Sequence, residues 1–241
     1  MIRTIVCSDY AEMSRRAADI VEAEMLLKPD CVLGLATGST PEGMYAELVK
    51  DNRDGKISFA AVRTVNLDEY YPLAPDNDQS YRYFMNYHLF DKVDIDKANT
   101  NVPDGLAADT VAEGQRYEAL IDSMGGIDLQ VLGIGRNGHI GFNEPGASLD
   151  TYTHCTDLTP STIEANSRNF ASIDDVPKQA MTMGIGSIFK ARRIIVMASG
   201  KEKADAVACM LAGELDTNCP ATLLNLHRDV ILIADRAALG E

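Results

Sequence analysis

The sequence predicts one doubly wound α/β domain, in which helices cover both faces of a mostly parallel sheet. Short apolar runs alternate with longer helical patterns through both ends of the chain, as expected of strand–helix–strand units. The runs are mainly apolar and show no regular alternation of apolar and polar residues, which is typical of parallel strands covered on both faces. The 241 residues contain no linker-like, repeated or low-complexity stretch, so we expect residues 1–241 to form a single domain.

Six apolar runs predict strands, and five helical patterns lie between them. The predicted strands are 2–6, 31–36, 62–67, 129–134, 194–198 and 230–234. The predicted helices are 9–28, 41–54, 79–90, 110–124 and 202–212. The first helix begins with a capping-box pattern at Asp9 and Glu12, and the second follows Thr40 as its N-cap. Residues 146–178 are less periodic and rich in Ser, Thr, Asn and Asp, which indicates a surface excursion or a mobile lid.

The composition disfavours several classes of partner and compartment. With 36 acidic and 22 basic side chains, the formal net charge of −14 repels nucleic-acid backbones and anionic lipid surfaces. The five cysteines are scattered without a C-x-x-C pair, which favours reduced thiols over disulfides or a zinc site. The N-terminus is interpreted as a strand and not as a signal sequence, and the apolar runs are too short to span a membrane. We therefore expect a cytoplasmic protein that binds neither nucleic acid nor membranes.

In doubly wound folds, ligands bind at the carboxyl ends of the strands, so the residues that follow each strand are the functional candidates. Gly38, Ser39 and Thr40 follow the second strand, just before a predicted helix begins at Pro41. Backbone N–H groups and hydroxyls at such a helix start form a cradle for an anion such as phosphate. A plain tight turn before a helix explains the same residues equally well.

Two adjacent carboxylates, Asp68 and Glu69, follow the third strand. Such a pair is more often a helix cap or a solvated corner. A carboxylate in apolar surroundings, however, has a raised proton affinity that suits a general base. Asp68, at the exit of the strand, is the candidate for that role.

A glycine-rich stretch, 133–145, follows the fourth strand. Gly133, Gly135 and Gly138 match the dinucleotide fingerprint G-x-G-x-x-G, but no helix follows, so we reject a nicotinamide cofactor. His139 and Glu144 lie in this loop, where a carboxylate–imidazole hydrogen bond is sterically easy and supports general acid–base catalysis. A structural loop histidine is the alternative. The four histidines show no metal-ligand spacing, and we expect neither a metal nor another cofactor.

Two lysines follow the fifth strand. Ser199 and Glu202 form a capping-box pattern there, which places Lys201 and Lys203 in the first turn of the next helix. Cations at a helix N-terminus oppose the helix dipole by roughly 0.3–1 kcal/mol each. A bound anion explains such a position, and a solvated lysine whose charge Glu202 offsets is the alternative.

Five motifs occur in order along the chain: T-G-S-T-P, N-L-D-E-Y, G-x-x-x-N-G-H-I-G-F-N-E-P, A-N-S-R and S-G-K-x-K-A. Together they resemble the glucosamine-6-phosphate deaminases over essentially the whole chain, and H-I-G-F-N-E-P is the most specific block. The resemblance implies a modified Rossmann-like fold. It also implies that glucosamine 6-phosphate and water are converted into fructose 6-phosphate and ammonia, without a redox cofactor or a catalytic metal.

The resemblance implies roles for individual residues as well. Asp68 resembles the base that moves a proton from C2 to C1 through an enolamine, His139 the group that opens the sugar ring, and Glu144 the carboxylate that orients it. Arg168 resembles an arginine of a lid that closes on the ligand, which makes residues 146–178 the lid. The remaining matches, all to the phosphate site, are Gly38, Ser39, Thr40 and Lys203.

The chain departs from the family pattern at two places. Asn137 stands where some members have an aspartate, so we assign it a positioning role and assign ring opening to His139 with Glu144. His154 and Thr156 stand where regulated members carry an arginine and a lysine for an effector phosphate. These differences disfavour allosteric activation and the hexamer that supports it, and we expect a monomer or a small homo-oligomer.

Two other functions are alternatives. A 6-phosphogluconolactonase resembles this fold and shares the phosphate loop, but it continues after Gly-His with an apolar S-L-F-P-like stretch, where this chain has I-G-F-N-E-P at 140–145. A non-catalytic sugar-phosphate sensor of similar fold carries a helix-turn-helix ahead of the domain, whereas the first strand predicted here begins at Ile2.

Overall fold

Ten strands form two sheets in the computed structural model, which describes residues 2–241 apart from the side chain of Asn169. In chain order the strands are β1 Arg3–Cys7, β2 Val32–Leu35, β3 Arg63–Asn66, β4 Asp68–Tyr71, β5 Thr100–Asn101, β6 Leu129–Gly133, β7 His154–Asp157, β8 Gln179–Thr182, β9 Arg193–Ala198 and β10 Val230–Asp235. The larger sheet has the order β1-β10-β9-β6-β2-β3-β5, and its strands pair in parallel. The predicted α/β class with a mostly parallel sheet is confirmed.

All six predicted strands lie in this larger sheet. Every residue of β2 and β10 is buried, and because successive side chains point to opposite faces of a sheet, both faces are covered there. β1 differs, because it lies at the edge and its first four residues are exposed or half-buried. β5 has two polar residues and no apolar run that could predict it.

The smaller sheet is a feature that the sequence does not predict. β4, β8 and β7 form it in that order with antiparallel pairing, so that Thr182 of β8 lies between Asp68 and His154. β7 falls within residues 146–178, which are therefore more regular than their composition indicates. A small hydrophobic cluster of Tyr70, Phe142, Leu158 and Ala180 packs against this sheet, separate from the main core of the larger one.

Seven α-helices accompany the sheets. They are α1 Tyr10–Leu27, α2 Glu42–Arg53, α3 Tyr81–Met85, α4 Thr110–Ser123, α5 Pro160–Asn166, α6 Ile185–Phe189 and α7 Ala204–Leu211. The five predicted helices are all present, whereas the short α5 and α6 are not predicted. α1 begins as expected, because Asp9 Oδ1 accepts a 2.8 Å hydrogen bond from the N–H of Glu12. Among the helices described, none has the combined length and apolar character of a membrane span.

Three of the predicted helices differ in detail from the expectation. α2 begins one residue late, with Pro41 and not Thr40 at the N-cap position. The helix expected over 79–90 consists of α3 followed by a π-helix, Asn86–Phe90. The helix expected over 202–212 is a 3₁₀ turn, Lys201–Lys203, followed by α7.

The larger sheet changes its winding direction between β2 and β6. From β2 the chain adds β3 and β5 on one side, and it then returns to add β6, β9 and β10 on the other. Neighbouring strands whose connections leave in opposite directions open a crevice at their carboxyl ends. The loops after β2, β3 and β6 therefore meet at one edge of the sheet, which is where the predicted site residues lie.

Candidate active site

A cleft of about 960 Å³ opens at the carboxyl ends of the central strands. All but one of the residues predicted for the site line it, and the exception, Glu144, is hydrogen-bonded to three of the lining residues. The predicted residues in the wall are Gly38, Ser39, Thr40, Asp68, Asn137, His139, Arg168 and Lys203. The fold thus brings together residues that are up to 165 positions apart along the chain (203 minus 38).

Asp68 is the first residue of β4, and only 6% of its surface is exposed. Burial, with the charge of Glu69 added, raises the pKa of Asp68 to about 8. Glu69 has a different role: it accepts hydrogen bonds from the backbone N–H groups of Tyr81 and Arg82 at the start of α3, over 2.8 and 2.9 Å. One carboxylate of the pair is thus the helix cap, while Asp68 lines the cleft with the proton affinity of a base.

Asn137, His139 and Glu144 form one hydrogen-bonded group. Glu144 Oε2 lies 3.3 Å from His139 Nδ1 and accepts a 2.7 Å hydrogen bond from Asn137 Nδ2. Asn137 Oδ1 also accepts a 3.2 Å bond from the backbone N–H of His139. A carboxylate beside Nδ1 keeps the proton on that nitrogen, which makes Nε2 the one that exchanges a proton with a ligand.

The carboxyl group of Glu144 stays ionised in this group. Burial by itself raises the pKa of Glu144, but hydrogen bonding and charge from His139, together with bonds from Thr162 and Asn137, outweigh burial and lower the pKa to about 2. Thr162 lies on α5, and its hydroxyl donates to Glu144 Oε1. The sequence reasoning missed Thr162, because a threonine in a short unpredicted helix carries no signal of its own.

The turn after β2 has the local geometry that the sequence predicts for an anion cradle. Gly38 has a φ of +86°, in the left-handed region that favours glycine, and it turns the chain from β2 towards α2. Tyr10 holds this turn, because its hydroxyl donates to the carbonyl of Ser39 and accepts from the N–H of Gly43, both over 2.9 Å. With Thr40 also in the wall, hydroxyls and the N-terminus of α2 meet at the cleft. This arrangement favours the cradle over a plain turn.

Three cationic side chains line the cleft beside this cradle: Arg136, Arg168 and Lys203. Lys203 Nζ donates a 2.7 Å hydrogen bond to the carbonyl of Ile134. Burial lowers the pKa of Lys203, Glu202 opposes this effect, and the charges of Arg136 and Arg168 lower the pKa further. Like charges gathered in a chain of net charge −14 indicate an anion site, and Arg136 is a member that the sequence reasoning missed.

The capping box predicted at Ser199 and Glu202 is wrong. The hydroxyl of Ser199 donates to Asp235 at the end of β10, and Gly200, with a φ of +92°, leads into the 3₁₀ turn Lys201–Lys203. Gly200 and not Ser199 thus stands at the N-cap position of this turn, and no side chain caps it. Lys203 nevertheless stands directly before α7 and next to the cleft.

A buried carboxyl group, an imidazole–carboxylate pair and three cationic side chains at a strand switch point are the features expected of an acid–base site for a small anionic metabolite. Comparison with known proteins identifies the family. The family model of glucosamine-6-phosphate isomerases and 6-phosphogluconolactonases matches residues 9–233, and the chain belongs to this family.

Individual relatives resemble the chain over its full length. A glucosamine-6-phosphate deaminase of Clostridium perfringens is 55% identical over 237 residues, which cover 98% of each chain. The solved structure of a monomeric glucosamine-6-phosphate deaminase is 47% identical and has a TM-score of 0.97, with 99% of both chains covered. A 6-phosphogluconolactonase from Trypanosoma cruzi is 21% identical with a TM-score of 0.80, covers 100% of this chain and 97% of its own, and shares the fold.

Proposed function

We propose that this chain converts D-glucosamine 6-phosphate and water into D-fructose 6-phosphate and ammonia. The observation that carries the proposal is the meeting in one cleft of the buried Asp68, the His139–Glu144 pair and the cations around Lys203. The reaction needs a base for carbon, an acid–base group for oxygen and a phosphate site, and each is represented. Relatives named glucosamine-6-phosphate deaminase that match nearly the whole chain support the same reaction here.

The first step opens the sugar ring. The C1 hydroxyl loses a proton while the ring oxygen gains one, so a single group that accepts and then donates is sufficient. His139 suits this step, because Glu144 next to Nδ1 stabilises the imidazolium that forms while Nε2 carries the proton. Asn137 holds both partners through its bonds to Glu144 and to the backbone of His139.

The second step moves a proton between two carbons. Asp68 removes the proton from C2 of the open aldehyde while the aldehyde oxygen takes up the proton that the C2 ammonium group loses, which gives an enolamine. The same carboxyl group then returns the C2 proton to C1. The C2 nitrogen is then an imine; water adds to C2 and ammonia leaves, which yields fructose 6-phosphate. A carboxylate whose pKa is about 8 is a stronger base than an ordinary aspartate, as the weakly acidic C2–H requires.

The phosphate of the substrate provides the anchor. We assign it to the cradle of Gly38, Ser39 and Thr40, with Lys203 as its cation. Arg168 belongs to residues 146–178, which we call the lid segment and which already contribute one wall of the cleft. We propose that this segment closes on the bound sugar and brings Arg168 onto the phosphate.

The experiment is a turnover assay on the purified protein. We expect ammonia and fructose 6-phosphate to appear in equal amounts from glucosamine 6-phosphate, without added metal or nucleotide. Absence of both products over a broad pH range contradicts the proposal. Hydrolysis of 6-phosphogluconolactone in a parallel assay would instead support the lactonase alternative, and tight binding of sugar phosphates without turnover would support the sensor.

We propose further that the protein works as a monomer in the cytoplasm. The structural relative with a TM-score of 0.97 is a monomeric enzyme. His154 stands where regulated members carry an arginine for an effector phosphate. Here both of its ring nitrogens have partners nearby, with Nδ1 2.9 Å from the carbonyl of Tyr152 and Nε2 3.4 Å from Asp150. We expect the mass of one protomer in solution, both with and without N-acetylglucosamine 6-phosphate. The mass of a hexamer in either condition would contradict the proposed monomer. A phosphorylated sugar as substrate favours the cytoplasm, which cell fractionation tests.

A further inference from the structure

The carboxylate of Glu144 is held from both sides. On one side, Oε2 meets Asn137 Nδ2 and His139 Nδ1, which belong to the same glycine-rich loop as Glu144 itself. On the other side, Oε1 accepts the hydroxyl of Thr162, which lies 18 residues further along the chain on α5. The group that orients the imidazole is thus itself oriented by the lid segment.

The hydroxyl of Thr162 carries a single proton, and Glu144 is the acceptor to which it donates. Thr159 Oγ1 donates to Thr162 Oγ1 over 3.1 Å, so one lone pair of the Thr162 oxygen is already used. Glu144 is ionised and can only accept, which directs the single hydroxyl proton of Thr162 towards it. Thr162 is buried, with 5% of its surface exposed, so water competes little for this bond.

α5 also forms part of the cleft wall, since Ser161, Glu164 and Asn166 line the cleft from the same helix. A movement of α5 away from the cleft would withdraw the Thr162 hydroxyl from Glu144 and leave Oε1 without this donor. Asn137 and His139 would then hold the carboxylate at Oε2 alone, and its orientation towards His139 Nδ1 would be less fixed.

We infer that Thr162 is a positioning residue, which makes the orientation of the His139 imidazole depend on the lid segment being in place. The kinetic consequence rests on the proposed function, while the effect on His139 does not. The Thr162–Glu144 bond links closure over the substrate to the group that opens the sugar ring. Ring opening is then efficient only when α5 lies against the cleft.

The kinetic test is a double-mutant cycle. Thr162→Val keeps the shape of the side chain and removes the hydroxyl, and we expect kcat to fall about ten- to a hundredfold with KM changed by less than about twofold. Thr162→Ser restores the donor and should recover most of kcat. In a Glu144→Gln background, Thr162→Val should add almost nothing, because the carboxylate through which it acts is gone.

Three results would overturn the inference. They are an unchanged kcat in Thr162→Val, a serine variant as slow as the valine variant, and a valine effect of full size in the Glu144→Gln background. The last would show that Thr162 acts on the lid segment alone.

A substrate-free measurement separates this inference from the proposed function. The ¹⁵N signals of the His139 ring, assigned with a His139→Asn variant, are compared between the wild type and Thr162→Val at one pH. We expect the Nδ1 signal of Thr162→Val to move in the same direction as in Glu144→Gln. A moved signal in a protein that releases no ammonia would retain the inference and reject the function. If the wild type is active but Thr162→Val changes neither the signal nor kcat, the proposed function is retained and the inference about Thr162 is rejected.

Discussion

The imidazole ring of His139 lies directly against the α-carbon of Gly135. A methyl group placed on Gly135 would come within 2.5 Å of the ring atoms Cδ2, Cε1 and Nε2, closer than carbon atoms approach without bonding. The loop folds back to create this contact, since the N–H of Gly135 donates a 2.9 Å hydrogen bond to the carbonyl of His139. Gly135, the second glycine of the apparent dinucleotide fingerprint, therefore makes room for the imidazole ring of His139 and not for a pyrophosphate.

Gly135→Ala should displace the ring and spare most of the fold. A shift of about 1 Å in a catalytic group can reduce kcat about a hundredfold, and we expect a loss of that order in ammonia release. Gly146→Ala, directly after this loop and at the first residue of the lid segment, is the control, because a methyl group there would approach its nearest neighbour, the carbonyl of Ser148, at an ordinary 3.5 Å. Equal activities of the two variants would contradict the packing argument.

The sequence predicts the central strands of the larger sheet, and the edge strand β1 as well, because each lies in a mainly apolar run. The antiparallel sheet escapes prediction, since β7 and β8 are four residues long and mix polar with apolar side chains, so that their pairing depends on tertiary contacts. For the same reason the lid segment is predicted as irregular. Its strand and helix are defined by their neighbours and not by periodicity.

The candidate site is predictable where a residue type is unusual for its place, as with a histidine in a glycine loop or a lysine at a helix start. It is not predictable where several roles share one residue pattern. The sequence does not distinguish Asp68 from Glu69, and their different roles depend on the first two N–H groups of α3, which donate to Glu69 and not to Asp68. Arg136 and Thr162 acquire significance only from the three-dimensional positions of Lys203 and Glu144.

Asp68→Asn should abolish proton transfer between carbons and leave substrate binding nearly intact. General bases contribute about 10²- to 10⁴-fold, so we expect kcat to fall by that factor with KM little changed. In the wild type the base must be ionised, and with its pKa at about 8, kcat/KM should rise with pH up to about 8 and level off above it. A pH profile that is already level at pH 6, or near-normal turnover by Asp68→Asn, would exclude Asp68 as the base.

Asp68 should also make folding stability depend on pH. Its folded pKa of about 8 exceeds the ordinary value of 3.8, so between about pH 4 and 8 the folded state retains a proton that the unfolded state has released. The free energy of unfolding therefore falls as pH rises through this interval. Asp68→Asn has no such proton, and its stability should exceed that of the wild type by roughly 5 kcal/mol at pH 8.5, with little difference at pH 4.

Urea denaturation at the two pH values measures this difference, with Asp174→Asn, an exposed carboxylate of the lid segment, as the control. The same gain at both pH values would show that the substitution stabilises the protein for another reason than the buried proton.

Lys203→Met should weaken binding of the phosphorylated substrate. A hydrogen bond between charged groups is worth about 1.5–3 kcal/mol, so we expect KM, and Kd for a non-reactive sugar phosphate, to rise about ten- to a hundredfold. Lys201→Met is the matched control: it removes the same charge from the same 3₁₀ turn, but Lys201 is exposed and does not line the cleft. Equal effects of the two variants would place the phosphate elsewhere.

Arg136→Ala tests whether a local cation can matter in a protein whose net charge is −14. The overall field repels the phosphate of the substrate weakly and over long distances, whereas Arg136 acts within the cleft beside Lys203. Because Arg136 is exposed, solvent reduces its contribution, and we expect kcat/KM to fall by about two- to tenfold. The loss should shrink when the ionic strength is raised from 0.01 to 0.5 M, since the Debye length then falls from about 30 Å to only a few ångströms.

Arg53→Ala, at the opposite end of α2 from the cradle, removes the same charge from the overall field. If Arg53→Ala reduces kcat/KM as much as Arg136→Ala does, the net charge of the surface and not the position of Arg136 controls substrate capture.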